Sequence, residues 1–166
     1  MNRFFLAMPV ILFDYKALQN DFAHLSQGRW VPPQNLHLTL QFFGEKYEKI
    51  LLIQMLSDLN LQADPSELIG LELFKHNTIL YAKTKNPSVQ VLHTQIQEAF
   101  SIQDEQEFIP HVTLMRIKKT PHRALLEKRV ELYDDRVIGT LQAKIQLIQS
   151  RLTPEGSKYT LIKEFN

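Results

Sequence analysis

Short stretches in which apolar side chains alternate with polar ones recur along the chain, and they predict β-strands. The clearest case lies at 36–43, where Leu38 and Leu40 alternate with His37 and Thr39 before Gly44 closes the strand. One face of such a strand is anchored on a core while the other carries the polar side chains. Further strands are predicted at 3–8, 68–74, 78–84, about 108–117, about 139–152 and about 159–165.

Four other stretches place their apolar residues at helical spacing. Helices are predicted at 15–25, 45–59, 87–100 and 121–132. The first is expected to end near Gly28, and Pro87 marks the start of the third. Residues 29–35 contain two adjacent prolines and are predicted to be a non-helical lead into the strand that follows. This order of elements predicts a mixed α and β fold rather than an array of repeats.

Composition narrows the classes of protein that fit. A chain of 166 residues suits one domain, or two small lobes that share a core. The absence of cysteine excludes disulfides, thiolate nucleophiles and cysteine-bound zinc. A net charge of +1 argues against a nucleic-acid binder that depends on bulk positive charge, while a local phosphate site stays open.

The apolar run at 4–13 is the one stretch that could mimic a targeting segment. It is interrupted by Pro9, lacks a small-residue cleavage site after it, and is shorter than the about 20 residues that span a bilayer. We therefore expect a buried first strand, no membrane contact and a cytoplasmic protein.

Two four-residue motifs repeat one chemical pattern, His-Leu-Thr-Leu at 37–40 and His-Val-Thr-Leu at 111–114. In a strand the histidine and threonine of each motif share a face, roughly 7 Å apart. The histidines are 74 residues apart, and each motif strand is followed by a predicted helix. This sparse repeat predicts two similar lobes that face each other across a cleft.

Two histidines with ordinary pKa values can act as one acid and one base at the same pH. That pairing suits displacement at phosphorus, in which one imidazole activates water and the other protonates the leaving oxygen. Threonine hydroxyls can hydrogen-bond the phosphate oxygens where charge develops. The scheme requires no metal and no cofactor, and the sequence has no HExxH motif, no cluster of aspartates and no glycine-rich phosphate loop.

The motifs and their surroundings resemble the two-histidine (2H) phosphoesterases, in particular the bacterial and archaeal RNA 2',3'-cyclic phosphodiesterases, earlier named 2'-5' RNA ligases. The resemblance extends from residue 3 to about 165. It rests on Arg-Phe-Phe-Leu-Ala at 3–7, Arg-Trp-Val-Pro-Pro-Gln-Asn before the first motif, residues 42–45, Pro110 before the second, Ser-Arg-Leu at 150–152 and Gly-Ser-Lys-Tyr at 156–159.

The resemblance implies a bilobal α+β fold over residues 1–166, with two antiparallel-type sheets and outer helices around a central cleft. It also implies hydrolysis of a terminal 2',3'-cyclic phosphate to a 2'-phosphate. By analogy His37 is the general acid and His111 the general base, and the two roles could be exchanged. Thr39 and Thr113 would hold the phosphate.

The family's positions five residues after each histidine fall on Phe42 and Arg116, as a base or ribose contact and a phosphate-side cation respectively. In a regular strand, a residue five positions after the histidine has its side chain on the opposite face. A bulge, a strand end or a long side chain must therefore intervene, and Phe42 could instead belong to the core.

Several other residues receive weaker predictions. Histidines 24, 76, 93 and 122 are interpreted as surface or helix residues. Trp30 could stack on a base or pack against the Pro-Pro segment, and Arg151 and Tyr159 could border the cleft. The basic group formed by Arg116, Lys118 and Lys119 is interpreted as a solvated strand end.

Three functional hypotheses follow. The first is a metal-independent phosphodiesterase acting on RNA ends or nucleotides that carry a 2',3'-cyclic phosphate. The second is another 2H activity, on 2'-5' linked oligonucleotides, on a small cyclic nucleotide, or in reversible 2'-5' RNA ligation. The third is a non-catalytic module that binds RNA ends or another protein in the same cleft, which the presence of both motifs disfavours. We expect a monomer with no obligate protein partner.

Overall fold

The computed structural model describes residues 2–74 and 78–165, and within these ranges the chain forms ten strands, four α-helices and one short 3-10 helix. The strands are β1 (Arg3–Leu12), β2 (Gln27–Trp30), β3 (His37–Gly44), β4 (Ser66–Ile69), β5 (Leu71–Leu73), β6 (Ile79–Ala82), β7 (Val112–Lys119), β8 (Val137–Leu141), β9 (Gln146–Thr153) and β10 (Gly156–Glu164). The helices are α1 (Tyr15–Phe22), α2 (Lys49–Asp58), α3 (Pro87–Phe100) and α4 (Arg123–Glu131), with the 3-10 helix at Pro33–Asn35. The predicted α+β class is confirmed.

The strands of the described chain pair in antiparallel fashion, and β1 is common to both parts of the sheet. The larger part has the order β10-β9-β1-β3-β7-β6-β5, with β2 paired to β7. The smaller part runs β1-β8-β4. Strand β5, at the end of the larger part, is separated from β4 of the smaller part by Gly70 alone. The order of strands therefore runs from β1 through β3, β7, β6 and β5, and returns from β4 through β8 to β1. The sheet thus nearly closes into a barrel.

The core lies where the motif strands were predicted to bury their apolar face. Leu38, Leu40, Val112 and Leu114 are each 0% exposed and belong to one large hydrophobic cluster. Helix α3 packs against β3, and α4 packs against β5. The apolar faces of the motif strands therefore pack against the interior of the protein. This packing fixes the positions of the side chains on the opposite face.

Two predicted strands are each divided into two. The stretch 68–74 breaks at Gly70, whose φ of +84° is a left-handed conformation that L side chains rarely adopt. The stretch 139–152 breaks into β8 and β9. Opposite this break β1 contains Pro9, which has no N–H to donate, and the ladder resumes only at Val10 with Leu141.

Other boundaries also differ from prediction. The strand predicted at 108–117 begins only at Val112. The helix predicted at 45–59 begins at Lys49, because Gly44 turns the chain with a φ of +63° and the Tyr47 ring packs 5.3 Å from that of Phe100.

The prediction that 29–35 is wholly non-helical is wrong. Pro33 starts a 3-10 turn, and a proline, which has no N–H, is well suited to the first helical position. Strand β2 was also missed.

In the described part of the chain, no helix combines the length and apolar character needed to cross a bilayer.

Candidate active site

The residues predicted to form the site lie together around one cavity of about 590 Å³. Strands β1, β2, β9 and β10 contribute further walls, among them Phe5, Arg29, Ser150 and Tyr159. The predicted residues on the cavity are His37, Thr39, Phe42, His111, Thr113 and Arg116.

The motif strands β3 and β7 are direct neighbours, paired at Leu38 and Val112. Both of these side chains are fully buried, so the residues on either side of them face away from the core. The histidine and the threonine of each motif therefore lie on the face of the motif strands that borders the cavity.

Strand β3 contains a β-bulge three residues after its histidine. Thr39 pairs with Ala7 of β1. The next paired residue, Gln41, faces Leu6, so Leu40 is an extra residue with none opposite it on β1.

Strand β7 contains a bulge at the equivalent place. Thr113 pairs with Tyr81 of β6. The next paired residue, Met115, faces Leu80, which makes Leu114 the extra residue. The two motifs thus repeat a backbone irregularity as well as a sequence.

A bulge shifts the alternation of side chains by one residue, which resolves the conflict over the offset of five. Phe42 and Arg116 return to the face of the histidines, and both line the cavity. Of the three explanations that the sequence left open, a bulge, a strand end or a long side chain, the structure shows a bulge in each strand. Phe42 is 55% exposed and is not part of the core.

The imidazole of His37 is held in one orientation by its backbone. Its Nδ1 donates to the carbonyl of Asn35 at 2.6 Å. A carbonyl only accepts, so Nδ1 carries the hydrogen and Nε2 is the nitrogen able to gain or lose a proton at the cavity. Nε2 lies 3.1 Å from the hydroxyl oxygen of Thr39.

His111 is held in the same way. Its Nδ1 donates to the carbonyl of Ile109 at 2.7 Å, again two residues earlier in the chain. Ile109 precedes Pro110, and a residue before proline is restricted to extended conformations. Both histidines therefore present Nε2 as their reactive nitrogen.

Each histidine also lies between two aromatic rings. The His37 ring is 4.8 Å from that of Phe5 and 5.6 Å from that of Tyr159. The His111 ring is 4.9 Å from that of Phe74 and 5.5 Å from that of Tyr81. Of these rings the sequence pointed only to Tyr159, because Phe5 and Tyr81 belong to strands whose pairing was unknown and Phe74 directly follows β5.

Burial lowers the pKa of both histidines below the ordinary value. The carbonyl partners act in the opposite direction, whereas the Arg116 guanidinium lowers both pKa values further and His111 lowers that of His37. Both imidazoles are therefore mainly neutral at pH 7 in the unliganded protein. A bound anion would favour the protonated form.

The described residues on the cavity include three arginines, Arg3, Arg29 and Arg116, and one carboxylate, Glu155. Arg29 faces Arg116 in the pairing of β2 with β7. This excess of positive charge suits a phosphate group. Sequence reasoning missed Arg29 because it missed β2, although the Arg-Trp segment was part of the family resemblance.

The weaker predictions have mixed outcomes. Tyr159 and Trp30 line the cavity. Trp30 also packs edge-on against Tyr15, with ring centroids 6.0 Å apart. Arg151 is exposed and is not among the described residues that line the cavity. Lys118 and Lys119 are exposed at the end of β7, as expected for a solvated strand end.

The remaining histidines also differ from one another. His24 and His122 are exposed, as predicted. His76 lies outside the described residues. His93 lies on the predicted helix α3 but is buried, which the sequence did not indicate. Within 2–74 and 78–165, no three histidine, cysteine or acidic side chains are grouped so that they could hold a metal ion.

Comparison with known proteins gives consistent matches. The sequence model of the AKAP7 2'5' RNA ligase-like domain matches residues 11–166. A protein of Methanocaldococcus jannaschii named RNA 2',3'-cyclic phosphodiesterase is 32% identical over 142 residues, covering 81% of this chain and 82% of the relative. One of Aquifex aeolicus with the same name is 32% identical over 157 residues, covering 83% and 81%.

Solved structures with the same fold are also found. The protein TT0787 of Thermus thermophilus superposes with a TM-score of 0.71 at 26% identity, covering 98% of this chain and 96% of the other. LigT of E. coli, solved as a complex with 3'-AMP, superposes with a TM-score of 0.74 at 18% identity and covers 99% and 97%. At that identity the second match supports the fold alone.

Proposed function

Since the chain belongs to the AKAP7 2'5' RNA ligase-like family of 2H phosphoesterases, we propose that it hydrolyses the 2',3'-cyclic phosphate at an RNA end, or on a nucleotide, to a 2'-phosphate. The observation that carries this proposal is the pair of imidazoles on one cavity, each with Nδ1 bound to a carbonyl and Nε2 left as the proton-exchanging atom. The names of the relatives support the substrate class.

In the proposed reaction the Nε2 of His111 takes a proton from a water molecule as its oxygen attacks phosphorus. The bond between phosphorus and the 3' oxygen breaks, and the Nε2 of His37 gives its proton to that leaving oxygen. The phosphate stays on the 2' oxygen, and transfer of one proton from His111 back to His37 resets the pair. Each positioned proton transfer typically contributes about 10²–10⁴-fold.

The neighbouring side chains would hold the phosphate. Thr39 and Thr113 lie on the histidine face of the motif strands, where their hydroxyls can donate to the non-bridging oxygens. Arg116 would neutralise the charge that develops there. Phe42 would contact the base or the ribose, for which its exposed ring on the cavity is suitable.

The electrostatics of the cavity accommodate an acid as well as a base. Both histidines have a lowered pKa in the unliganded protein, and the first requirement of the reaction is a proton on His37. The negative phosphodiester raises the affinity of a neighbouring imidazole for a proton. Substrate binding would therefore protonate one of the two histidines, while repulsion between two imidazolium ions keeps the other neutral, so that the pair can supply one acid and one base.

We also propose that residues 1–166 act as one domain in the cytoplasm. The continuous sheet, in which β1 takes part on both sides, supports one unit. The proposed reaction requires no metal ion.

The test is an incubation, with EDTA present, of a short oligoribonucleotide that ends in a 2',3'-cyclic phosphate. The product is identified by its resistance to a 3'-specific phosphatase. His37→Ala and His111→Ala are each expected to reduce the rate by about 10²–10⁴-fold. His24→Ala removes an exposed histidine outside the cavity and serves as the matched control.

Three outcomes would count against the proposal. A product sensitive to the 3'-specific phosphatase would carry a 3'-phosphate and would show that the 2' oxygen leaves. Loss of activity in only one of the two cavity variants would contradict the two-histidine mechanism. Tight oligonucleotide binding without turnover would favour a module that binds RNA ends.

A further inference from the structure

His93 is a buried histidine that the proposed reaction does not use. It lies on α3, on the side that packs against β3, and is only 5% exposed. Its Nδ1 donates to the backbone carbonyl of Leu40 at 2.6 Å. Leu40 is the bulge residue of β3, the one that returns Phe42 to the cavity.

The hydrogen bond from His93 supports the bulge at the place where strand pairing is absent. Leu40 has no residue opposite it on β1, and the pairing of β3 with β7 is confined to Leu38 and Val112. A buried carbonyl left without a donor is costly. The imidazole of His93 donates to this carbonyl at the point where the register between β1 and β3 is interrupted.

The same imidazole contacts the segment that leads into the second motif. It stacks on Phe108 with ring centroids 3.8 Å apart and an interplanar angle of 11°. Its Nε2 lies 3.7 Å from the Asp104 carboxylate, which also accepts a hydrogen bond from Gln97 of α3 at 2.6 Å. Phe108 is followed directly by Ile109, whose carbonyl orients His111.

One side chain thus contacts both halves of the site without belonging to either motif. On one side is the bulge that places Phe42, and on the other is the segment that places the carbonyl partner of His111. We propose that His93 is a positioning residue that sets the two motifs relative to each other. This inference rests on the proposed function for its kinetic readout, but its structural consequence can be measured separately.

The test compares three substitutions on α3. His93→Phe keeps an aromatic ring for the stack on Phe108 and loses the donor to Leu40. His93→Gln keeps a side-chain N–H and is the conservative rescue. Ile96→Val removes one methylene from a fully buried residue of the same helix and serves as the control for general loss of stability.

The measurements are the melting temperature, kcat and KM on a 2',3'-cyclic nucleotide, and the NMR ring signals of His37 and His111. We expect His93→Phe to lower kcat/KM by ten- to a hundredfold, the usual effect of a small displacement of catalytic groups. Ile96→Val should lower the melting temperature without that loss, and His93→Gln should recover most of the activity. The His111 ring signals should shift in His93→Phe and not in Ile96→Val.

A double-substitution cycle distinguishes positioning from a merely structural role. If His93 acts partly through Phe42, His93→Phe should cost less in a Phe42→Ala background than in the wild type. Equal costs in both backgrounds, together with unchanged His111 signals, would overturn the inference. An inactive wild-type protein would refute the proposed function instead, and the NMR comparison would still decide the role of His93.

Discussion

Replacing Arg116 with glutamine tests the electrostatics of the cavity most directly. The guanidinium lowers the pKa of both His37 and His111, and it lines the cavity where the phosphate would lie. Glutamine keeps a polar side chain of similar reach and removes the charge. The substitution should therefore weaken phosphate binding and change the pH dependence together.

The magnitude of the first effect follows from the value of one hydrogen bond to a charged group. Such a bond contributes about 1.5–3 kcal/mol, so kcat/KM should fall by roughly 10- to 150-fold at the optimum pH. The second effect has a definite sign. Without the cation both histidines bind protons more readily, so both limbs of the bell-shaped profile should move to higher pH. Burial remains the largest cause, so both pKa values stay below the ordinary one.

The assay is kcat/KM for a 2',3'-cyclic nucleotide across the acidic and mildly alkaline range at constant ionic strength, because this ratio reports the pKa values of the free protein. Arg29→Gln is the matched control. Arg29 lines the same cavity and faces Arg116 across the strand pair, but it is not among the causes of either histidine shift. A profile that stays in place or moves to lower pH in Arg116→Gln would refute the assigned electrostatic role.

Two further predictions concern stability. The folded protein holds the pKa of His37 and His111 below that of the unfolded chain, so the free energy of unfolding should fall as the pH is lowered through about 6.5, where the unfolded chain takes up the protons first. Calorimetry should show a flatter pH dependence of this free energy in a His37→Gln, His111→Gln double variant than in the wild type. Equal slopes would contradict the pKa shifts. Gly70→Ala should reduce the free energy of unfolding by about 1–3 kcal/mol in urea titration, because a Cβ there would lie 3.0 Å from the carbonyl oxygen of Asp134 at a φ of +84°. Gly44→Ala is the control, since its Cβ would meet nothing closer than 3.5 Å, and it should reduce this free energy by less. An equal reduction in both variants would show that the contact with Asp134 is unimportant.

The features predicted well are those set by local pattern. Helix α3 was predicted with its observed bounds, because Pro87 and the apolar spacing both act within a few residues. The buried faces of the motif strands were predicted for the same reason. The cavity membership of Phe42 and Arg116 came from the family resemblance, and strand alternation alone argued against it.

The features that were missed depend on distant parts of the chain. Strand β2 has only four residues and forms because β7 offers it an edge. The division of β8 from β9 depends on Pro9, which lies far earlier in the chain. The rings of Phe5 and Tyr81 reach the histidines through pairings of β1 and β6 that no local pattern specifies. His93 is the extreme case, because its role is defined by a bulge 53 residues away.

The two halves of the site are alike in how they hold the histidine and unlike in what they present beside it. Each half has an Nδ1 bound to a carbonyl two residues earlier, a bulge three residues later and two flanking aromatic rings. Five residues after the histidine the repeat ends, with Phe42 in one half and Arg116 in the other. In the proposed reaction, a symmetric scaffold would let the two imidazoles present equivalent nitrogens to one phosphorus atom. The difference at the fifth position fits a substrate that is itself asymmetric, with a nucleoside on one side of the phosphorus and charged oxygens on the other. Exchanging the two side chains, by Phe42→Arg together with Arg116→Phe, preserves the composition of the cavity but should therefore abolish activity on a 2',3'-cyclic nucleotide. A double variant with the kcat/KM of the wild type would contradict the roles assigned to the two positions.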